Sequence, residues 1–598
     1  MIWENIKGKL YMNRYVFDIE TDGLLDDVTK VHCLALKNID TGEITGYTGN
    51  GVWSEAVPKL EEAELIVGHN IIKYDIPVLQ KLGKFEPKGL VRDTLVCTRL
   101  IWADIKQSDF NRKNFNYFPT KLIGSHSLRA WGHRIGNYKD DYDAGWEEYS
   151  DEMMTYCFQD CEVTNTLWQK ILERNYSEKS IELEHDIAEI IYQQEVNGFA
   201  FDKKSAGLLY AKLSARKLEI EKELRSVFPD WEVKTPFTPK VNSKKFGYEK
   251  GVPTHKVKLM EFNPASRDHV ANRLKTIRGW KPKDFTNDGK PKVDEEVLSK
   301  LQYPEAKLLV EYYTLIKRLG QLGDGNQAWL KVEKNGRIHG SVNTNGAVTG
   351  RATHAFPNVA QVPAVGVPYG KACRQLFTVS QGNKLVGVDV SGLELRCLAH
   401  YMARYDGGAY AETVVNGDVH TANQEAANLP SRSQAKTFIY GFLYGAGAEK
   451  IGSIIGKGAK EGAVLKKRFL KSLPALNTLI EDVQTASKKG YLIGLDGRRV
   501  RVRAEYAALN TLLQSAGALI CKQWIREFNK SLYETNLHEH CKLVSWVHDE
   551  IQLEVKGGME ANVGKLAVQS IGRAGHFFRV RCELTGEYKV GNNWAETH

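Results

Sequence analysis

Cysteine is sparse and scattered in this chain: nine residues among 598, none in a CxxC pair. Zinc ribbons, CxxC redox centres and disulfide scaffolds all need closely spaced thiols, so the set reads as reduced structural cysteines. The two closest, Cys157 and Cys161, have acidic and apolar neighbours rather than histidines. Also missing is any run of about 18 apolar residues, the length a spanning helix requires. The opening MIWENIKGKLYMNRY reaches charged residues before any apolar signal core. The expectation is a protein without a membrane partner that works in a cytoplasm. Internal repeats and low-complexity tracts are absent too, which excludes fibrous and disordered classes.

What is present is an ordinary globular composition, 42% hydrophobic and 26% charged. At roughly 100–200 residues per domain, the length implies three to five domains. Lys and Arg number 82 against 73 Asp and Glu, a net charge of +9. That balance is compatible with a nucleic-acid partner but does not by itself specify one.

The first 200 residues alternate β-rich runs (Tyr15 to Phe17, Val31 to Leu36, Glu64 to Val67) with helical patterns (Trp53 to Glu64, Asp151 to Leu172). This is the signature of an α/β layer around a central sheet. From Ser205 to Phe228, leucines and isoleucine recur at helical spacing and predict a long amphipathic helix. Residues 232–261, EVKTPFTPKVNSKKFGYEKGVPTHKVKLME, then bring three prolines, two glycines and seven lysines against three glutamates. We expect an exposed, mobile basic loop or small subdomain there. Helical periodicity resumes over Glu305 to Leu319, so residues 205–322 read as a stalk with a basic tip. The rest, from Asn326, is long enough for a second large α/β unit.

Three segments of that second unit carry chemistry. In KLVGVDVSGLELR, an apolar run ends at Asp389, with a turn at Ser391-Gly392 and a helix start at Leu393; a strand-end carboxylate suits a metal ion. In KLVSWVHDEIQLEV, two alternating runs (Leu543, Ser545, Val547 and Ile551, Leu553, Val555) flank His548-Asp549-Glu550, a hairpin with carboxylates at its tip. Taken singly, both aspartates read more simply as turn acids. Between them PSRSQAKTFIYGFLYGAG starts a helix at Pro430-Ser431 and stops it at Gly445 and Gly447. Arg432, Lys436, Tyr440 and Tyr444 are spaced by four, so they form one slowly turning stripe. Two cations and two rings can hold a triphosphate and stack a base.

Near the start, YVFDIETDG places Asp18 and Glu20 on one strand face with Ile19 on the other. VGHNIIKYDIPVL supplies Asp75, and MTYCFQDCEVT supplies Tyr156 and Asp160 four apart on a helix. Two carboxylates on one face repel unless a metal or protons sit between them.

The three later segments resemble motifs A, B and C of family A (Pol I-like) DNA polymerases, in the form carried by short-tailed bacteriophages (podoviruses). VTGRATHAFPNVAQVP, GLDGRRVRVR, ALNTLLQSAGALICK and NWAETH extend the likeness through nearly the whole chain. The earlier set resembles the proofreading 3′ to 5′ exonucleases of the DEDD type with tyrosine. The resemblance implies an α/β multidomain fold, an RNase H-like exonuclease domain followed by a right-hand polymerase domain. The expected boundaries are exonuclease 1–190, thumb 191–335 with the basic tip, palm 336–410, fingers 411–495 and palm again 496–598.

It further implies two Mg²⁺ ions on Asp389, Asp549 and the Val390 carbonyl, and two divalent ions on Asp18, Glu20, Asp75 and Asp160, with Tyr156 orienting a water. Arg432, Lys436 and His420 would grip the triphosphate, Lys436 also donating a proton to pyrophosphate. Glu394 would exclude the ribose 2′-hydroxyl and Tyr440 would face the incoming sugar, a tyrosine that implies ready acceptance of dideoxynucleotides. Arg351, Asn510, Gln514 and His548 would contact the primer-template minor groove, whose acceptors are nearly common to all correct pairs; Tyr444 belongs with the DNA contacts.

Primer-template DNA, dNTPs, a phage helicase-primase and a single-strand-binding protein are the implied partners, in the cytoplasm of an infected bacterium. Phage relatives of this type capture host thioredoxin on a long thumb insertion. The stretch 232–261 is much shorter, which argues against thioredoxin, and its lysines would track the DNA backbone directly. There is no room before Asp18 for a 5′ nuclease domain. Two rivals remain: a single-subunit RNA polymerase, opposed by Glu394 and the exonuclease pattern, and a non-catalytic or exonuclease-only replisome subunit, which predicts loss of metal carboxylates that are in fact present.

Overall fold

The computed structural model describes residues 13–111, 118–138, 142 and 145–598; the opening segment up to residue 12 lies outside them. The first unit is built on β1 (Arg14–Thr21), β2 (Val31–Asn38), β3 (Ile44–Thr48), β4 (Leu65–Gly68) and β5 (Leu90–Asp93), in the order β3-β2-β1-β4-β5. β1 pairs antiparallel with β2 and parallel with β4. Its side chains alternate, so Val16 joins one apolar layer with Cys33, Val67 and Cys157, while Phe17 and Ile19 join the other with Leu34 and Ile66. Helix α1 (Asp151–Leu172), capped by Ser150 accepting from the Met153 amide, packs on β1 and β2.

α2 (Glu178–Asn197) runs from this unit into the next, where Phe199–Phe201 pairs with Arg337–Ile338 and Phe377–Thr378. The expected long helix is α3 (Lys203–Val227), packed against α4 (Pro304–Leu319). Residues 232–261 are mostly exposed, as expected of a loop or small subdomain, but they are not irregular throughout. Fewer than half of them pair in an antiparallel ribbon of β6 (Trp231–Phe237) and β7 (Thr254–Met260), and residues 238–253 between the strands form its irregular tip. The lysines and prolines of that stretch mask a period of two in Val233, Thr235 and Phe237 and in His255, Val257 and Leu259, and pairing satisfies the backbone that a loop would leave to water.

The C-terminal unit centres on a four-stranded antiparallel sheet of β8 (Asn383–Val390), β9 (Cys541–Val547), β10 (Glu550–Lys556) and β11 (Gly586–Gly591), in the order β9-β10-β8-β11. Around it lie α5 (Leu393–Asp406), α6 (Val419–Ala427), α7 (Arg432–Leu443), α8 (Ala508–Glu534) and α9 (Glu560–Phe577). The simple alternation expected of the β9–β10 hairpin is not kept. Register slips between Leu543 and Ser545, and Glu550, Gln552 and Glu554 are buried because the sheet is covered on that side as well. Each finds a partner: Glu554 pairs with Arg337, Gln552 accepts from Thr597, and Glu550 accepts from the Trp594 indole.

A second buried polar group joins α2 to this unit. Arg498 binds Asp496 and Glu184 at 2.7 Å each, and Lys522 also donates to Glu184. All nine cysteines are free and buried, as expected of structural thiols. Among the described residues, no helix is long and apolar enough to cross a membrane.

Candidate active sites

The first centre lies where β1 meets α1. Asp18, Glu20 and Cys157 place one carboxylate or thiol atom each within 4.8 Å of one another. The Cys157 thiol donates to the Asp18 carbonyl at 3.4 Å and to its carboxylate at 3.7 Å. Asp75 opens the helix Asp75–Gly83 and is buried, as is Asp160. Burial, then the charges of Asp93 and Asp160, pushes Asp75 up to about 7. Tyr156 is half-buried, its ring 5.5 Å from Tyr142 and 6.2 Å from Trp146. All five expected residues therefore fall on the same three elements.

Asp93 was not among them, yet it shapes the turn that delivers Asp75. Its carboxylate accepts from the amides of Asn70 (2.9 Å), Ile72 (3.2 Å) and Leu95 (2.8 Å), while its own amide donates to His185 Nε2 at 2.8 Å. The signal was available: an aspartate at a strand end, directly before a helical run, is an N-cap pattern.

The second centre is a cleft of about 400 Å³ lined by Arg351, Asp389, Val390, Glu394, Tyr440, Tyr444, His548 and Asp549 among others. β8 carries Asp389, and Gly392, at φ +59°, turns the chain sharply into α5 and Glu394. His548 takes φ +59° at the β9–β10 turn, where its carbonyl accepts the Trp546 indole at 2.9 Å. The Val390 amide donates to the Asp549 carbonyl at 3.0 Å, which ties the two aspartate-bearing loops together. Burial, then Asp549 and Glu550, raises Asp389 to about 7; burial also raises Asp549. Two acids so placed repel, and a divalent cation relieves both their desolvation and their repulsion. Glu394 accepts from the Tyr444 hydroxyl and lies 3.4 Å from Arg351.

The stripe on α7 divides. Tyr440 and Tyr444 line the cleft, with Tyr444 just past the last helical residue, whereas Arg432 and Lys436 are exposed outside it. Asp418, capping α6, holds Arg432 at 2.6 Å. Burial, then the charges of Arg432 and Lys436, lowers the His420 pKa, so a histidine favoured in its neutral form sits beside the two cations; its ring lies 6.3 Å from Tyr440. Asn510 and Gln514 bond to each other at 2.9 Å on α8, while the cleft is lined instead by Leu513, Gly517 and Cys521 of that helix. Of the four expected minor-groove contacts, Arg351 and His548 are thus in the cleft and the other two are not.

The sequence matches the family model of DNA polymerase family A over residues 248–596. The chain belongs to that family, and it is a template-directed DNA polymerase. It is 40% identical to the DNA-directed DNA polymerase of Escherichia phage T7 over 703 aligned positions, covering 98% of this chain and 100% of the relative. The T3 phage enzyme is 39% identical, with the same coverage. Because the T7 alignment runs to 703 positions and this chain has 598 residues, at least 105 of those positions have no residue here. The solved structure of the POL domain of Pol1 from M. smegmatis, in complex with DNA primer-template and dNTP, matches with a TM-score of 0.74 at 18% identity, covering 98% of this chain and 96% of that one, a likeness of fold.

Proposed function

We propose that this family A polymerase extends primers at the Asp389–Asp549 cleft and removes mispaired ends at the separate Asp18–Asp160 centre, replicating phage DNA with its own proofreading. The observation that carries the reading is the convergence of Asp389, Asp549, Glu394 and Tyr440 on one cleft, with His420 6.3 Å from Tyr440 at its margin and Arg432 and Lys436 beside it.

Asp389, Asp549 and the Val390 carbonyl would hold Mg²⁺ in the cleft; Asp18, Glu20, Asp75 and Asp160 would hold divalent ions in the first centre. Bound there, the ions supply Lewis acidity for attack by the 3′-hydroxyl or by water and for departure of the leaving oxygen. The chain's own residues do the rest. Arg432, Lys436 and His420 bind the triphosphate, and Lys436 gives a proton to the leaving pyrophosphate. Tyr440 faces the sugar and Glu394 excludes a 2′-hydroxyl. Arg351 and His548, with Asn510 and Gln514 once the duplex is bound, test the minor groove, and Tyr444 contacts the DNA. Tyr156 orients the water of the exonuclease.

In this reading residues 1–190 are the exonuclease, 191–335 the thumb, 336–410 and 496–598 the palm and 411–495 the fingers. A phage helicase-primase and single-strand-binding protein work beside it in the host cytoplasm. The positions missing relative to the T7 enzyme, together with the short ribbon at 232–261, support a polymerase that does not capture thioredoxin. The test is primer extension with Mg²⁺ and dNTPs by Asp389→Ala and Asp549→Ala. Both should lose extension while still retarding the primer-template on a gel; extension at near wild-type rate by either would refute the assignment.

A further inference from the structure

We propose that Cys157 makes the first centre a mixed carboxylate–thiolate site, one that takes Zn²⁺ in preference to Mg²⁺ and is slowed in its chemistry when it does. The inference rests on the reading of that centre as the 3′ to 5′ exonuclease. Among the described residues, Asp18, Glu20 and Cys157 are the one set of three histidine, cysteine, aspartate or glutamate side chains whose donor atoms all lie within 4.8 Å of one another. The polymerase cleft also has two aspartates and a thiol, Cys521, in its wall, yet these three form no such set.

Helix α1 carries the thiol. Its inward face repeats Met153, Cys157 and Cys161 at intervals of four, all buried where the helix packs on β1 and β2. Packing alone accounts for Cys161, whose thiol donates to the Ala35 carbonyl of β2 at 3.6 Å and belongs to no ligand set. Cys157, one turn earlier, faces β1 instead. Its Sγ lies 3.4 Å from the Asp18 carbonyl and 3.7 Å from an Asp18 carboxylate oxygen, and Glu20 stands on the same face of that strand. A thiol 3.7 Å from a carboxylate is a weak hydrogen-bond donor. Two ligands of one tetrahedral Zn²⁺, with bonds of about 2.0–2.2 Å to oxygen and about 2.3 Å to sulfur, stand roughly 3.5 Å apart. Sulfur and carboxylate are therefore already spaced for a shared ion. Asp18 is half-buried and Cys157 fully buried, so an entering ion meets the carboxylate first and the sulfur after it.

Donor chemistry decides which ion stays. Mg²⁺ is a hard cation that keeps oxygen ligands and several of its waters, and it leaves the Cys157 thiol protonated on the Asp18 carbonyl. Zn²⁺ accepts thiolate: the S–H bond breaks, its proton passes to solvent water, a Zn–S bond forms and one bound water leaves. The thiolate adds one negative charge beside Asp18 and Glu20. That charge weakens the pull of the centre on a phosphodiester and on the proton of an attacking water, so degradation slows.

The test uses the full-length, metal-stripped protein with Co²⁺ as a spectroscopic stand-in for Zn²⁺, because a cobalt–thiolate bond absorbs in the near ultraviolet and a cobalt–carboxylate bond does not. Wild type is compared with Cys157→Ala, Cys157→Ser, Cys161→Ala and Asp18→Ala/Glu20→Ala, and primer extension with dNTPs checks that each variant is folded. The thiolate band should appear in wild type and Cys161→Ala only, and Zn²⁺ should bind at least about tenfold more weakly to both Cys157 variants. Degradation of a labelled single strand is scored for each enzyme against its own rate in Mg²⁺ alone. Added Zn²⁺ should slow wild type at least about tenfold and the two Cys157 variants much less. No band in wild type, or a band of wild-type intensity in Cys157→Ala, would overturn the proposal, as would equal arrest of wild type and both Cys157 variants by Zn²⁺. Failure of every enzyme to shorten the strand in Mg²⁺ would count instead against the exonuclease reading, and the cobalt band would still decide whether Cys157 is a ligand.

Discussion

Asp389 and Glu550 stand directly opposite each other across the β8–β10 pair, and only one of them is held. Glu550 accepts from the Trp594 indole at 2.7 Å and the Gln552 amide at 2.6 Å, and pairs with His598 at 2.7 Å. Among the described residues no hydrogen bond reaches the Asp389 carboxylate. Burial raises both acids, but in Glu550 the bonds from His598, Trp594 and Gln552 outweigh it and hold the carboxyl below its usual range. Glu550 is therefore a satisfied structural anion, and Asp389 is the carboxylate left for a cation.

Trp594→Phe removes one of those donors and leaves a buried carboxylate oxygen a bond short. It should cost about 1–3 kcal/mol in urea unfolding and slow primer extension, since the strand beside Asp389 loses its anchor. An unchanged midpoint would show that the indole bond contributes nothing.

The Glu184, Asp496, Arg498 and Lys522 group makes a larger prediction, because Glu184 and Lys522 are fully buried. Lys522→Met strands an anion, at a cost of about 3–5 kcal/mol. Adding Glu184→Gln should recover part of it. Strictly additive losses in the double-mutant cycle would contradict a shared network.

Helix α1, helix α3 and the strand-turn-helix around Asp389 were legible in the sequence because each carries its own periodicity or punctuation. The role of Glu550 was not, since its partners Trp594 and His598 lie 44 and 48 residues away. The split stripe on α7 was hidden for a related reason. Helical spacing shows that Arg432 and Tyr440 lie near one face, but not where the cleft wall ends along it. The ribbon was obscured by lysine and proline, which are normally loop residues.

Acid sensitivity follows from His185, buried beside Asp93. Burial, then Arg92, lowers its pKa from 6.5 to about 3; burial, then Arg134, does the same for His126. Depressed folded values mean that the unfolded chain takes up these protons first. The stability contribution is complete above about pH 6.5 and falls as pH drops toward 3, by up to about 1.4 kcal/mol per pH unit for each group. Asp75 and Asp389, raised to about 7, contribute slopes of the opposite sign over the same range, so the reading is the difference between enzymes: between pH 7 and 5 the slope of stability against pH should be smaller by about one proton in His185→Gln than in wild type. Equal slopes for the two would contradict the burial of a neutral imidazole at this position.

At the cleft, Tyr440→Phe removes only the hydroxyl from the ring we propose faces the incoming sugar. Discrimination against dideoxynucleotides should rise, read as the ratio of incorporation of each terminator to its normal nucleotide. Equal ratios for the two enzymes would remove Tyr440 from the sugar site.

The central claim is that one chain holds two independent carboxylate centres, one for each direction of chemistry. The most direct measurement follows a labelled primer-template with Mg²⁺, with and without dNTPs, for wild type, Asp389→Ala and Asp18→Ala/Glu20→Ala. Asp389→Ala should still shorten the primer but never lengthen it, and the double variant should lengthen it but never shorten it. Loss of both activities in either variant would contradict separate sites.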